Sequence, residues 1–426
     1  MATVTRYVIL SANASGNGLS RSESETSLGA GDQAYASMTL WEAAEETDLV
    51  TDTDEHVVNL SVGTTAQVES GANVAISTWT CGASNRLTIQ GDRGAATGFN
   101  DTGIWNRTGY YTLEQTDVAG WLLDIAEAYV TVDGIQLSEN AGTSGRYLMR
   151  SNGYSGVLVR NCIFKKLGTG AGTVGFYGTG TSLLFSNNII IGFKGSNDTP
   201  TWANGPLLLY NNTFYDCLRP LYLSTAVNNA ETYRAKNNLI FNSTTADMND
   251  ASTSTDVEFD YNATDYPTDG STGDPRGANG VDLSANSASS WATIVTAAAT
   301  DDFTVKDASS PVYDTGVPNA TDPNVPTTDY FGTTRTTYDI GAFELPAGSD
   351  VDVSATVGAI IITAQSPTVS LDHDVSATVG ALIITGYNPT VSIDHDISAA
   401  AGSIAISALN PTVSIDHDVD AALGAI

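Results

Sequence analysis

"SLLFSNNIIIGF" (182–193), "PLLLYNNTFYDC" (206–217) and "RAKNNLIFNS" (234–243) repeat one sentence with small changes. Each is an alternating apolar run, then asparagine, then a second apolar group. Two flanking stretches, "SGVLVRNCIFKKL" (155–167) and "VEFDYNAT" (257–264), keep the pattern. The shared asparagines, Asn161, Asn187, Asn211, Asn237 and Asn262, lie 26, 24, 26 and 25 residues apart. A β-rich repeat with a period in the twenties is the mark of a solenoid, here a parallel β-helix with one coil per repeat.

Physical chemistry gives the asparagines a role. Equivalent residues of stacked coils sit about 4.8 Å apart. A corner residue must tolerate left-handed backbone, which asparagine does better than most residues. Its amide can donate to one coil and accept from the next, so these five are expected to form a structural ladder. The runs "HVVNLSV" (56–62), "NRLTIQGD" (85–92) and "AYVTVDGIQLSEN" (128–140) carry the β texture upstream. The expected β-helix spans residues 51–345.

Ahead of it, "TLWEAAEETDL" (39–49) predicts a helix. Thr39 and Glu42 have capping-box spacing, and Leu40, Ala43, Ala44 and Leu49 would form its apolar side. A solenoid ends in an exposed apolar cross-section and open strand edges, so a helix in residues 1–50 is expected to cap the first coil.

Two more stretches carry a resemblance. "SPVYDTG" followed by "DIGAFE" (310–344) resembles the last coil of right-handed parallel β-helix proteins of the pectin-lyase-like kind. The opening, "TRYV" and then "GAGDQAYASMTLWEAAEETDLV", is similar to the start of β-helix proteins encoded by tailed phages and prophages. The resemblance covers about residues 1–345. It implies the fold class, all-β with a right-handed parallel β-helix, and a virion structural role. This superfold also carries lyases, hydrolases and adhesins, so function must be argued from the site.

Residues 351–426 contain no Lys, Arg or Glu and repeat every 22 residues, marked by Pro367, Pro389 and Pro411 and by Gly358, Gly380, Gly402 and Gly424. Each unit reads as a long alternating strand such as "TVSIDHDISA", a glycine corner, a shorter apolar strand and a proline turn. Similar units occur at the ends of phage structural proteins. The expectation for 346–426 is a tandem β-repeat stalk, with a fourth unit still open at Ile426. Within the long strand, His373, His395 and His417 would face one side. Asp372, Asp374, Asp394, Asp396, Asp416 and Asp418 would face the other, as a solvated acidic face and the candidate Ca²⁺ ligands.

Composition sets the partners. The chain carries 48 acidic and 17 basic residues, a net charge of −31, and only 15% charged residues against about 25% in an average domain. Such a surface repels nucleic acid and anionic membrane. Cys81, Cys162 and Cys217 are few, odd in number and widely spaced, which predicts free thiols rather than a disulfide framework. The opening apolar run is too short for a secretory signal or a membrane span, so cytoplasmic synthesis is expected.

No catalytic set stands out, and no cofactor is expected. Asp133, Asp216, Glu258 and Asp260 are the carboxylates a polysaccharide hydrolase would need, but they share no matched coil position with a base beside them. His56 reads as a strand-edge residue. "GAGTVG" (170–175) matches a dinucleotide-binding loop in letters only, because no helix pattern follows it. Glycan contact, where present, is expected from Tyr154, Tyr177, Trp202, Tyr210 and Tyr215. The reading is a non-enzymatic surface protein of a tailed phage or prophage-derived particle: head fibre, decoration or tail-fibre-like. Its expected partners are other virion or surface-assembly proteins, further copies in a homotrimer, and glycans. A bacterial adhesin or sheath subunit, and a β-helix depolymerase, are the rivals.

Overall fold

In the computed structural model the chain falls into two units, Met1–Leu345 and Pro346–Ile426. The structure describes residues 2–10, 17–19, 33–62, 68–71, 73–93, 98–116, 120–141, 145–224, 232–243, 248–250, 256–265, 276–285 and 291–345 of the first unit. In the second it describes the strands alone.

The first unit is a right-handed parallel β-helix with three strands per coil. The coil that starts with Val130–Asp133 continues through Gln136–Glu139 and Arg146–Ser151, and the next begins at Leu158–Arg160. Stacked coils build three parallel sheets, here called I, II and III in that order. Sheet I begins one coil earlier than expected. Its outermost strand is Thr3–Ile9, paired in register with Glu55–Ser61.

Alternation along each strand fills the interior. In sheet I, Val130 and Val132, Val159, Leu183 and Phe185, Leu207 and Leu209, and Tyr233 and Ala235 all point inward and are buried. Each of the Val, Leu and Phe side chains among them contributes about 1.5–3 kcal/mol of transfer free energy, and stacking joins them all into one column. Phe176 and Phe185 stack at 5.0 Å between centroids, with Phe164 at 5.5 Å from Phe185.

The corner between sheets I and II holds two asparagine rows rather than one. Asn161, Asn187, Asn211 and Asn237 have φ of 54°, 54°, 54° and 58°. They take the left-handed corner, as their tolerance for it predicts. The fifth expected member does not: Tyr261 occupies that corner with φ 54°, and Asn262 is one residue further on. The buried amide ladder is built by the next residues, Asn188, Asn212, Asn238 and Asn262. The backbone N–H and the Nδ2 of Asn188 both donate to Asn212 Oδ1, at 2.9 and 3.1 Å. Asn212 does the same to Asn238, and Asn238 to Asn262. Each Nδ2 also donates to a sheet I carbonyl, at Val159, Phe185 and Leu209.

Residues 291–345 are not a last coil. They run back outside the solenoid as a strap over the sheet I/sheet II corner. The sheet II strands Ile189–Ile191 and Leu239–Phe241 are apolar on both faces, as strands buried on both sides must be. Phe164, Ile190, Phe214 and Ile240 point in, while Ile163, Ile189, Leu239 and Phe241 point out beneath Trp291, Phe303, Val312, Ile340 and Phe343 of the strap. The outer asparagine row fastens it. Asn187 donates to Thr328 O, Asn211 to Asp339 O, and Asn237 to Val317 O while accepting from Val317 N.

At the N-terminal end, helix α1 (Met38–Glu45) packs beside Val74–Ile76, the first strand of sheet III. Its cap is Ser37, which accepts from Leu40 N, not Thr39. Glu42 reaches out to Ser77 N instead of closing a box. The buried side is Met38 and Trp41, whereas Leu40, Ala43 and Ala44 are exposed; Leu49 starts a separate turn, α2 (Leu49–Asp52). Trp41 stacks on Trp79, and His56 lies edge-on to Trp79 at 5.0 Å. His56 is therefore a buried cap residue and not a strand-edge one, and burial pushes its pKa down to about 4.

The second unit is a smaller set of stacked parallel strands with an unbroken 22-residue register. Ile360 aligns with Leu382 and Ile404, and Thr368 with Thr390 and Thr412. The long strand expected in each repeat is two strands in two different sheets, such as Thr368–Leu371 and Val375–Ala377. The residues between them, Asp372, Asp374, Asp394, Asp396, Asp416 and Asp418 with His373, His395 and His417, lie outside the described residues.

Candidate functional site

Sheet III has no described cover, and its outer face carries a row of rings. They are Trp121 on Gly120–Ile125, Tyr147 on Arg146–Ser151, Tyr177 on Val174–Gly178, Trp202 on Thr199–Ala203 and Tyr222 on Leu221–Leu223. The pleat turns them outward because their neighbours, Leu122, Leu148, Phe176, Ala203 and Leu221, fill the interior. Parallel pairing aligns Tyr177 with Trp202 and Trp202 with Tyr222.

Successive rings touch. Trp121 and Tyr147 lie 4.0 Å apart, Trp121 and Tyr177 5.6 Å, Tyr177 and Trp202 5.5 Å, and Trp202 and Tyr222 5.4 Å. Five coils at about 4.8 Å each make a stripe about 19 Å long. Arg150 sits in it. Its guanidinium lies 4.0 Å from the Trp121 ring centre and pairs with Asp124 on the neighbouring strand. Asn204 donates to the Tyr177 hydroxyl at 3.2 Å, and the Trp202 indole N–H is withdrawn from solvent with no partner among the described residues. A rigid row of half-exposed rings with polar groups at its margin offers flat apolar faces to a ligand with stacked apolar faces of its own.

Two of the five aromatics expected from sequence, Tyr177 and Trp202, stand in this stripe. Tyr154 is exposed in the turn that leads from sheet III to sheet I. Tyr210 and Tyr215 are elsewhere and out of reach. Tyr210 is fully buried, with its hydroxyl donating to Asp322 of the strap, and Tyr215 is wedged between Phe241 and Phe303. Trp121, Tyr147 and Tyr222 were not legible as partners, because loops of different length separate them.

The candidate carboxylates are dispersed and engaged. Asp133 accepts from Arg93, Arg160 and Asn161. Asp216 pairs with Lys194, Glu258 with Arg234 and Lys236, and Asp260 binds Asn279. Asp133 and Asp260 share a register column but stand five coils apart, about 24 Å, far beyond the separation of a glycosidase pair. The glycine-rich 170–175 leads into strand Val174–Gly178, and Asp198 accepts from Thr173 N, Gly195 N and Lys166 there. Among the described residues no three His, Cys, Asp or Glu side chains cluster to hold a metal ion, and no helix is long and apolar enough to cross a membrane. Cys162 and Cys217 are buried free thiols and Cys81 is half-buried.

No protein-family model matches the chain, and a search of curated proteins finds no match.

Proposed function

We propose that this chain is a non-enzymatic structural protein on the surface of a tailed phage or prophage-derived particle, as a head fibre, decoration or tail-fibre-like component, and that sheet III is its glycan-contacting face. The observation that carries the reading is the partition of the three faces. The strap buries the outside of sheet II and part of sheet I, while sheet III presents an unbroken aromatic stripe. A protein built only to be stable would gain by covering those rings as well.

The rest of the chain supports the same reading. Stacked ladders make a stiff spacer, and a net charge of −31 keeps particles dispersed and away from nucleic acid. The dispersed, ion-paired carboxylates weigh against a depolymerase. Immunogold electron microscopy of the native source, with antibody raised to residues 1–345, tests the assignment. Label on capsids or tails is the expected result. Label on cell envelopes or free filaments would replace it with the adhesin or sheath reading.

A further inference from the structure

Three of the four left-handed asparagines at the sheet I/sheet II corner are occupied by the strap, and the fourth is not. Asn187, Asn211 and Asn237 each hold strap backbone. Asn161 donates to Asp133 at 2.8 Å, but its Oδ1 is buried with no partner among the described residues. Beside Asn161 a cleft of about 530 Å³ opens between the outer face of sheet I and strap residues 319–332.

The lining of this cleft is unusual for the chain. Arg93 and Arg160, two of only 17 basic residues, both reach into it, with side chains 40% and 48% exposed. One nitrogen of each bonds Asp133, and their other donors have no hydrogen-bond partner among the described residues. Asp133 offsets one of the two positive charges. Leu158 and Leu184 form an apolar floor, with Pro323, Val325 and Pro326 of the strap above. The cleft therefore asks for three things in one ligand: a carboxylate for the guanidinium groups, a hydroxyl to donate to Asn161 Oδ1, and an apolar ring face for the leucines.

We propose that the cleft binds an acidic sugar residue, with the uronate carboxylate on Arg93 and Arg160 and a ring hydroxyl on Asn161. A peptide carboxylate fits less well. Sheet I is hydrogen-bonded on both sides at this point, so it offers no strand edge on which a peptide could add. The site is separate from the sheet III stripe and does not depend on it.

The test is titration of the whole chain with glucuronate and galacturonate, read by calorimetry and by ligand-observed NMR. Saturable binding is expected with at least one of them. It should weaken about tenfold or more with the methyl ester, and likewise with Arg160→Gln. Asn161→Gly, which keeps the left-handed corner, should also weaken it. Trp202→Ala should leave it unchanged, so failure here and failure of the glycan stripe are told apart. The half-exposed Arg160 can be replaced without unfolding, which circular dichroism will check. The inference is overturned by absence of saturation with both uronates, by an ester that binds as well as the acid, by insensitivity to Arg160→Gln, or by tighter binding of a blocked Gly-Glu-Gly peptide.

Discussion

Arg335 and Glu344 form an ion pair of 3.0 Å with both side chains withdrawn from solvent. The same guanidinium donates to Asn187 Oδ1 of the corner row and to the Gly341 and Ala342 carbonyls, so one residue bolts the strap to the solenoid. Arg335→Met strands a buried carboxylate and several carbonyls. It should destabilise the strap by about 3–5 kcal/mol. Limited proteolysis should then cut within 310–345 before the coils are touched. The double change Arg335→Met, Glu344→Met removes both charges and should recover part of that loss. Equal protease resistance in Arg335→Met and the parent would show that the pair does not hold the strap.

Asp339 beneath the same bolt gives the strap a pH dependence. Burial raises its pKa from 3.8 to about 7, against the backbone N–H groups of Leu345 and Asp314 that favour its charged form. Its folded pKa lies above the unfolded one, so between these values the folded state holds more protons. Its contribution is fully present below about pH 4 and is lost as pH rises toward 7. Melting of the parent should fall relative to Asp339→Asn across that window. Parallel pH profiles for the two would remove Asp339 as the cause.

His56 in the cap runs the other way. Its folded pKa of about 4 lies below the ordinary 6.5, because burial against Trp41 and Trp79 disfavours the charged ring. Stability from the neutral ring is present above 6.5 and is lost as pH falls toward 4. His56→Phe keeps the aromatic packing and cannot titrate. The parent should therefore lose melting temperature relative to His56→Phe between pH 6.5 and 4, and a constant difference would count against it.

How much of this was legible can be judged residue by residue. The period was plain because Asn161, Asn187, Asn211 and Asn237 are fixed by a local demand, the left-handed corner, that no tertiary partner overrides. The true amide ladder lay one letter away in "NN", at Asn188, Asn212 and Asn238. Both rows share one period, so spacing alone could not say which pointed inward. The strap was misread as a coil because its partners, such as Asn187 for Arg335, lie 148 residues back along the chain. The helix cap shifted from Thr39 to Ser37 because Trp41, and not Leu40, had an apolar end to cover.

Asn212 tests the inner ladder. It is fully buried, accepts two bonds from Asn188 and donates to Phe185 O and Asn238 Oδ1. Asn212→Leu leaves the two Asn188 donors and one carbonyl without partners inside the solenoid. At about 1–3 kcal/mol for each orphaned group, the loss should reach about 3–5 kcal/mol in urea unfolding. Asn211→Gly, one residue earlier, keeps the corner backbone and gives up its bonds to the strap and one long bond accepted from Asn237. It should cost about 1–2 kcal/mol. A reversal of that order would place the ladder in the outer row after all.

The aromatic stripe makes the functional prediction. Its rings are half-exposed and rest on an intact interior, so removing one should change binding more than stability. Trp202→Ala and Tyr177→Ala should each weaken retention on host surface polysaccharide in affinity electrophoresis by about fivefold, which corresponds to about 1 kcal/mol per ring. Trp121→Ala should act similarly, although it lies two coils from Tyr177, because a chain laid along sheet III would meet both. Tyr215→Leu, under the strap, should leave retention unchanged while lowering the melting temperature. Undiminished retention in a Trp121→Ala, Trp202→Ala double variant would sink the glycan reading of sheet III. The fold and the strap would stand without it.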